Sequence, residues 1–175
     1  MKKVSIIGAG SWGLALSVVL AKNGHDVIVW SIIKEEIDML KEKREHVDKL
    51  PGVKLDEKIV FTTDLESAVK ESDMIVLAVP SVFTRSTARS MAAFVKDDQI
   101  IVCVAKGIEE ETLMTITDVV ESEIKNADVA VMCGPSHAEE VGIGLPTTVV
   151  AGAKTRATAE LIQDTFMNEV FRVYT

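Results

Sequence analysis

The stretch Val4-Ser5-Ile6-Ile7-Gly8-Ala9-Gly10-Ser11-Trp12-Gly13 decides how this chain is read. A short apolar strand runs into three glycines at GxGxxG spacing. These open a second apolar run, Ser11 to Asn23, with the pattern of a buried helix. In such a turn Gly8 permits the tight bend, Gly10 lets the backbone approach a pyrophosphate, and Gly13 allows close helix–strand packing. The helix N-terminus then offers free N–H groups to phosphates. A glycine turn that merely joins two core elements uses the same residues. It is the strand–turn–helix setting that points to a dinucleotide.

Working outward, strand-like runs recur near residues 4–7, 26–30, 59–62, 74–79, 100–104, 129–133, 147–152 and 170–174. Segments of helical period lie between most of them, such as Leu113, Ile116, Val120 and Ile124 on one face. This alternation predicts an α/β, Rossmann-type fold: a mostly parallel, doubly wound sheet with helices on both faces. Asn23-Gly24 stops the first helix. From Lys34 to Lys49 both charge signs surround Ile33, Ile37 and Leu40 at helical spacing, which predicts a solvated helix with one docked stripe. Lys49 to Glu57, containing Leu50-Pro51-Gly52-Val53, is the clearest loop.

The 175 residues suit one well-packed domain, 1–175, and leave little for a second core. A net charge of −8 argues against a general grip on nucleic acid. No apolar run reaches the length of a membrane span and the start has no signal-peptide cleavage pattern, so a cytoplasmic protein is expected. Cys103 and Cys133 sit in apolar runs and are expected to be small buried hydrophobes. Without CxxC or HxxxH, no metal site is expected. The chain stops at Thr175 directly after a strand, as a fragment cut at a domain boundary would.

In open α/β sheets ligands gather beyond the carboxyl ends of the strands. After Trp30 comes Ser31-Ile32-Ile33-Lys34, with neither the acidic residue that holds ribose hydroxyls nor an arginine for a 2′-phosphate. Ser31 could bond the ribose and Ile32 could pack on adenine, though a plain turn would look the same. Lys34 is the only nearby cation, so NAD is favoured over NADP. After Val79, Pro80 pre-sets a turn, Ser81 suits an N-cap, and Phe83 could line the cleft. After Val104, Lys106 stands beside Gly107 at the sheet edge, where a solvated lysine is the ordinary alternative. After Cys133 comes Gly134-Pro135-Ser136-His137-Ala138-Glu139-Glu140, in which Ser136 could cap a helix beginning near His137. The same N–H groups and hydroxyl would suit a phosphate or small polyol. His137 fits a surface position better than a general acid–base role.

Taken together, the glycine turn, Val79-Pro80-Ser81, Lys106-Gly107-Ile108-Glu109 and Gly134-Pro135-Ser136-His137-Ala138-Glu139-Glu140-Val141 resemble the bacterial NAD(P)-dependent glycerol-3-phosphate dehydrogenases. Leu50-Pro51-Gly52-Val53, Leu145-Pro146-Thr147-Thr148 and the Phe171–Thr175 ending fit the same family, so the resemblance runs along the whole chain. It implies hydride transfer between nicotinamide and a small phosphate substrate, interconverting dihydroxyacetone phosphate and glycerol 3-phosphate. It also implies that Ser11, Trp12, Lys106 and Ala138 lie on the cofactor, with Ile32 and Phe83 against the dinucleotide. Lys106, Gly134 and Ser136 would reach the substrate.

The chain departs from the family pattern in two ways. Bacterial relatives often carry a basic residue at the position of Ile32, and isoleucine there resembles the NAD-using members. The family also continues past the Tyr-Thr ending into a helical domain that supplies a proton-accepting lysine. Nothing up to Thr175 matches that lysine, so no catalytic residue is expected within this chain. Other readings are a 3-hydroxyacyl-CoA or ketopantoate-type dehydrogenase, or a non-catalytic dinucleotide-sensing domain, because the fold alone does not imply catalysis. Homo-oligomerisation is left open.

Overall fold

The computed structural model describes residues 1–175. In chain order the elements are β1 (Lys3–Ile7), α1 (Ser11–Lys22), β2 (Asp26–Trp30), α2 (Lys34–Lys43), β3 (Val60–Thr62), α3 (Leu65–Lys70), β4 (Met74–Leu77) and α4 (Thr84–Met91). There follow β5 (Ile100–Cys103), α5 (Ile116–Glu123), β6 (Asp128–Cys133), α6 (Ala138–Gly142), β7 (Thr147–Gly152), α7 (Arg156–Phe166) and β8 (Phe171–Tyr174). All eight strands form one sheet in the order β3-β2-β1-β4-β5-β6-β7-β8. The ladders are parallel except β6–β7, which is antiparallel. The predicted doubly wound, mostly parallel sheet is therefore observed.

The central strands are apolar without alternation because both of their faces are covered. Val4 and Ile6 of β1 join one core cluster and Ile7 the other. The first face carries α1, α2, α6 and α7 and holds the larger cluster, with Phe166 and Phe171 fully buried. The second is covered by α3, α4 and α5. Helix α1 is apolar nearly all round because it packs on the sheet and against α6.

Helix α2 buries Ile37 and Leu40, as the stripe predicts, but Ile33 precedes the helix and is about half exposed. The loop that follows is pinned to the core by Leu50, Val53 and Leu55. Two expectations are corrected. Leu113 lies outside α5 and is 72% exposed, because Thr115 and Asp118 form a reciprocal capping box that starts the helix at Ile116. Cys103 is buried, and that burial pushes its thiol up to about 12. Cys133, by contrast, is exposed at the carboxyl end of β6. No helix is long and apolar enough to cross a membrane.

Candidate functional site

Chain connections leave β1 toward β2 on one side and arrive at β4 on the other. The loops at the carboxyl ends of β1 and β4 thus diverge and leave a crevice, the topological switch point of the sheet. The glycine turn sits there. Gly8 adopts φ +120°, and its N–H donates to the Trp30 carbonyl at 2.9 Å. A Cβ on Gly8 would lie 2.8 Å from the Ala78 carbonyl carbon, and one on Gly13 would lie 2.3 Å from the Gly8 oxygen. Both glycines are therefore required by packing. Gly10 is different: a Cβ there would meet nothing within 4 Å, because the residue faces the crevice.

The start of α1 is left open. Leu14 N–H donates to the Gly10 carbonyl at 3.0 Å, and the earlier N–H groups of the helix have no intrahelical acceptor. No side chain caps them, and the first turn carries no acidic residue. The positive end of the helix dipole points without compensation at the crevice, which suits an anion.

The crevice has two lobes that meet at Gly10, Ser11, Ala78, Val79 and Pro80. One, about 620 Å³, runs from the turn past Trp30 to Ile32 and Phe83, which are 80% and 57% exposed. The other, about 560 Å³, is lined by Trp12, Ser81, Lys106, Ser136 and Ala138. Gly8, Gly10 and Ser11 are thus central, Ser31, Ile32 and Phe83 lie at one end, and Trp12, Lys106, Ser136 and Ala138 at the other. An extended molecule with a doubly charged centre fits this layout, and the donor set at the centre suits a pyrophosphate. Gly13 lies beneath the turn and lines neither lobe.

Lys106 is exposed, and its ammonium donates to the Gly134 carbonyl at 3.1 Å. That contact fixes a cation at the mouth of the second lobe. Gly134 lines an adjoining recess with Lys106 and Gly107, and a Cβ there would lie 2.7 Å from the Thr148 oxygen of β7. Its backbone oxygen anchors the lysine while its missing side chain admits β7. The segment after Lys106 is held by Glu109, which accepts two hydrogen bonds from Arg85 of α4 at 2.8 and 2.6 Å. Arg85 also donates to Glu123 of α5 at 2.7 Å. Hydrogen bonds from Arg85 and Thr112 hold the Glu109 carboxyl down at about 2, and Arg89 and Arg85 do the same for Glu123.

Several side chains act differently from expectation. Ser31 is buried and donates its hydroxyl hydrogen to Glu36 while accepting the Ile33 N–H at 3.2 Å, so it has no hydrogen to offer a ribose. Lys34 is tied to Asp38 one turn along α2 and does not line the crevice. Lys49, where the charged run meets the predicted loop and no site is expected from sequence, is the cation at this end. Its partner Glu36 is also on the wall, so an acidic residue is present after β2 but in the first turn of α2 rather than at the strand end. Neither Ser81 nor Ser136 is a cap. Pro80 holds the N-cap position of the short 3₁₀ turn Ser81–Phe83, and His137 that of α6, with no side-chain cap bond in either case. The Ser136 hydroxyl instead points back to the Gly134 carbonyl at 3.4 Å.

Against this geometry, known proteins give a consistent answer. The family model described as "NAD-dependent glycerol-3-phosphate dehydrogenase N-terminus" matches residues 3–159. A glycerol-3-phosphate dehydrogenase [NAD(P)+] of Agathobacter rectalis is 75% identical over all 175 residues of this chain, and one of Bacillus subtilis is 45% identical over 178 aligned residues. The chain spans about half the length of these relatives, 52% in both cases. A crystal structure of glycerol-3-phosphate dehydrogenase from Coxiella burnetii superposes with a TM-score of 0.93 at 28% identity, covering 99% of this chain and 53% of that one. A UDP-D-ManNAc dehydrogenase from Pyrococcus horikoshii, at 16% identity and TM-score 0.77, shares the fold alone. An ordered match of this extent, over a crevice with these residues, leaves one assignment: the chain belongs to the NAD-dependent glycerol-3-phosphate dehydrogenase N-terminus family.

Proposed function

We propose that this chain is the dinucleotide-binding domain of an oxidoreductase that interconverts dihydroxyacetone phosphate and glycerol 3-phosphate by hydride transfer with NAD(H) or NADP(H), NAD(H) being preferred. The observation that carries the proposal is the uncapped, uncompensated start of α1 at the middle of a two-lobed crevice, with Lys106 fixed at one end. The pyrophosphate would rest on the N–H groups of Ser11 and Trp12 beside Gly10. Adenosine would lie between Ile32 and Phe83, and nicotinamide would reach the lobe of Trp12, Ser136 and Ala138. When bound, the nicotinamide ring supplies or accepts the hydride. Lys106 is placed to stabilise charge developing on the substrate oxygen or to meet its phosphate, and the Arg85–Glu109 clamp steadies the segment that carries it. The protein would work in the cytoplasm on a small phosphate substrate, with the proton acceptor supplied by a helical domain outside these 175 residues.

A chimera tests this directly. This chain is joined to the second half of the Agathobacter rectalis relative and assayed with dihydroxyacetone phosphate and NADH. The chimera should turn over, while the chain alone binds NADH without turnover, since a missing acid–base group alone removes about 10²–10⁴-fold. A folded chimera that ignores dihydroxyacetone phosphate but reduces a 3-oxoacyl-CoA or ketopantoate would overturn the substrate assignment.

A further inference from the structure

The first lobe ends on a polar cluster built around Glu36. Glu36 of α2 is 7% exposed and faces three partners: the Ser31 hydroxyl, the His46 ring at 3.0 Å, and the Lys49 ammonium. The backbone N–H of Lys49 donates to His46 Nδ1 at 3.2 Å. Nδ1 must therefore carry a lone pair, and His46 is the neutral tautomer that donates from Nε2 to Glu36. The cluster's charge is then the Glu36 carboxylate against the Lys49 ammonium, and the two cancel. Burial pushes the Glu36 carboxyl up, but the bonds from Lys49, Ser31 and His46 outweigh it and keep the group below its ordinary value, hence ionised.

Other cations near this end are engaged elsewhere. Lys34 pairs with Asp38, Lys54 with Glu45, and Arg44 donates to the Ile59 carbonyl at 2.7 Å. Lys49, 45% exposed, is the one cation that lines the lobe. The adenosine ribose of a dinucleotide lies just beyond the end of β2 in this kind of sheet, next to this wall. A 2′-hydroxyl can meet a neutral wall at little cost. A 2′-phosphate needs Lys49 drawn away from Glu36, which would leave a buried carboxylate short of its main partner.

Resting on the proposed dinucleotide reading of the crevice, we infer that Glu36 is a specificity-determining positioning residue: by holding and neutralising Lys49 it makes the chain discriminate against a 2′-phosphorylated dinucleotide. It acts through Lys49 and need not touch the cofactor. Removing its charge while keeping its shape frees a lysine that already faces the ribose end.

The test titrates the chain and its Glu36→Gln and Lys49→Gln variants with NADH and NADPH at two ionic strengths, following fluorescence, with folding checked by thermal melts. In Glu36→Gln the preference for NADH over NADPH should shift toward NADPH by roughly tenfold or more, the size of one released half-exposed charge contact. NADPH binding should also become more salt-sensitive. A loss of packing alone would weaken both cofactors together and leave their ratio unaltered. If Glu36→Gln fails to fold, Lys49→Gln decides: it leaves the carboxylate uncompensated and should weaken NADPH by roughly tenfold more than NADH. An unaltered ratio in the folded variants, with the wild-type chain binding NADH saturably, overturns the role of Glu36 and leaves the cofactor reading standing. A wild-type chain that binds neither dinucleotide overturns the cofactor reading itself.

Discussion

The three glycines of the first turn should separate cleanly into one that binds and two that pack. Gly10→Ala places a methyl group in the crevice, since a Cβ there meets nothing within 4 Å of protein. Its backbone, φ −71° and ψ 171°, suits alanine. The variant should therefore be slightly more stable, by about 0.4–1 kcal/mol from the restricted unfolded chain. For a domain of this size that corresponds to a melting temperature raised by roughly 1–4 °C. The same methyl group occupies the space through which a pyrophosphate approaches the α1 N–H groups. Losing one charge-assisted hydrogen bond, worth about 1.5–3 kcal/mol, weakens NADH by roughly 10–150-fold. Gly13→Ala behaves in the opposite way. Its Cβ would lie 2.3 Å from the Gly8 oxygen, 3.1 Å from Ile6 Cγ2 and 3.2 Å from Ala78 Cβ. None of these is the free end of a flexible side chain, so the cost should reach about 3 kcal/mol, the upper end of ordinary overpacking. Circular dichroism melts and NADH fluorescence titrations read both effects. A Gly10→Ala chain that is stable and binds NADH as the wild type does would refute the placement of the pyrophosphate over this turn.

Further outcomes follow from the same structure. Glu109 and Glu123 ionise at about 2 in the folded chain against 4.5 ordinarily, so their contribution to stability is complete above about pH 4.5 and is lost as pH falls toward 2. Acid titration of Arg85→Ala should show a shallower loss over that window than the wild type does. Thr115→Ala removes the cap of α5 and should cost about 1 kcal/mol, or roughly 2–4 °C in melting temperature. In the active chimera, Lys106→Ala should lower kcat/KM by about 10²-fold or more with little change in melting temperature, because the side chain is exposed. Lys41→Ala, on the solvated face of α2, should be silent in both measurements.

The architecture was legible because it rests on local signals that agree. Every strand run appears within a residue or two of its observed bounds, and the Asn23-Gly24 stop falls where α1 ends, with Gly24 at φ +81°. The glycine turn, Lys106 and the Gly134–Ala138 segment were also legible, since each follows a strand whose carboxyl end faces the crevice. What escaped were contacts made across loops. Glu36 and Lys49 are thirteen residues apart and meet because Leu50, next to Lys49, and Val53 beyond it pin that loop to the core. Hydrophobic residues in that loop were the available signal. The serines were misassigned for a different reason: Ser136 and Ser81 each miss the N-cap position by one residue, and boundaries are the least certain part of a helix drawn from sequence. Cys133 and Leu113 sit in apolar patterns that outrun the element covering them, which a pattern alone does not reveal.

On the proposed reading, a nicotinamide dinucleotide lies across the switch point with its pyrophosphate on the start of α1. Titrating NADH into the ¹⁵N-labelled chain and following each backbone amide tests it most directly. The expected result is saturable shifts that are largest at Gly10, Ser11 and Trp12, smaller ones at Ile32, Phe83 and Ala138, and none along the exposed face of α2. Shifts that fail to saturate, or that centre away from the glycine turn, would contradict it.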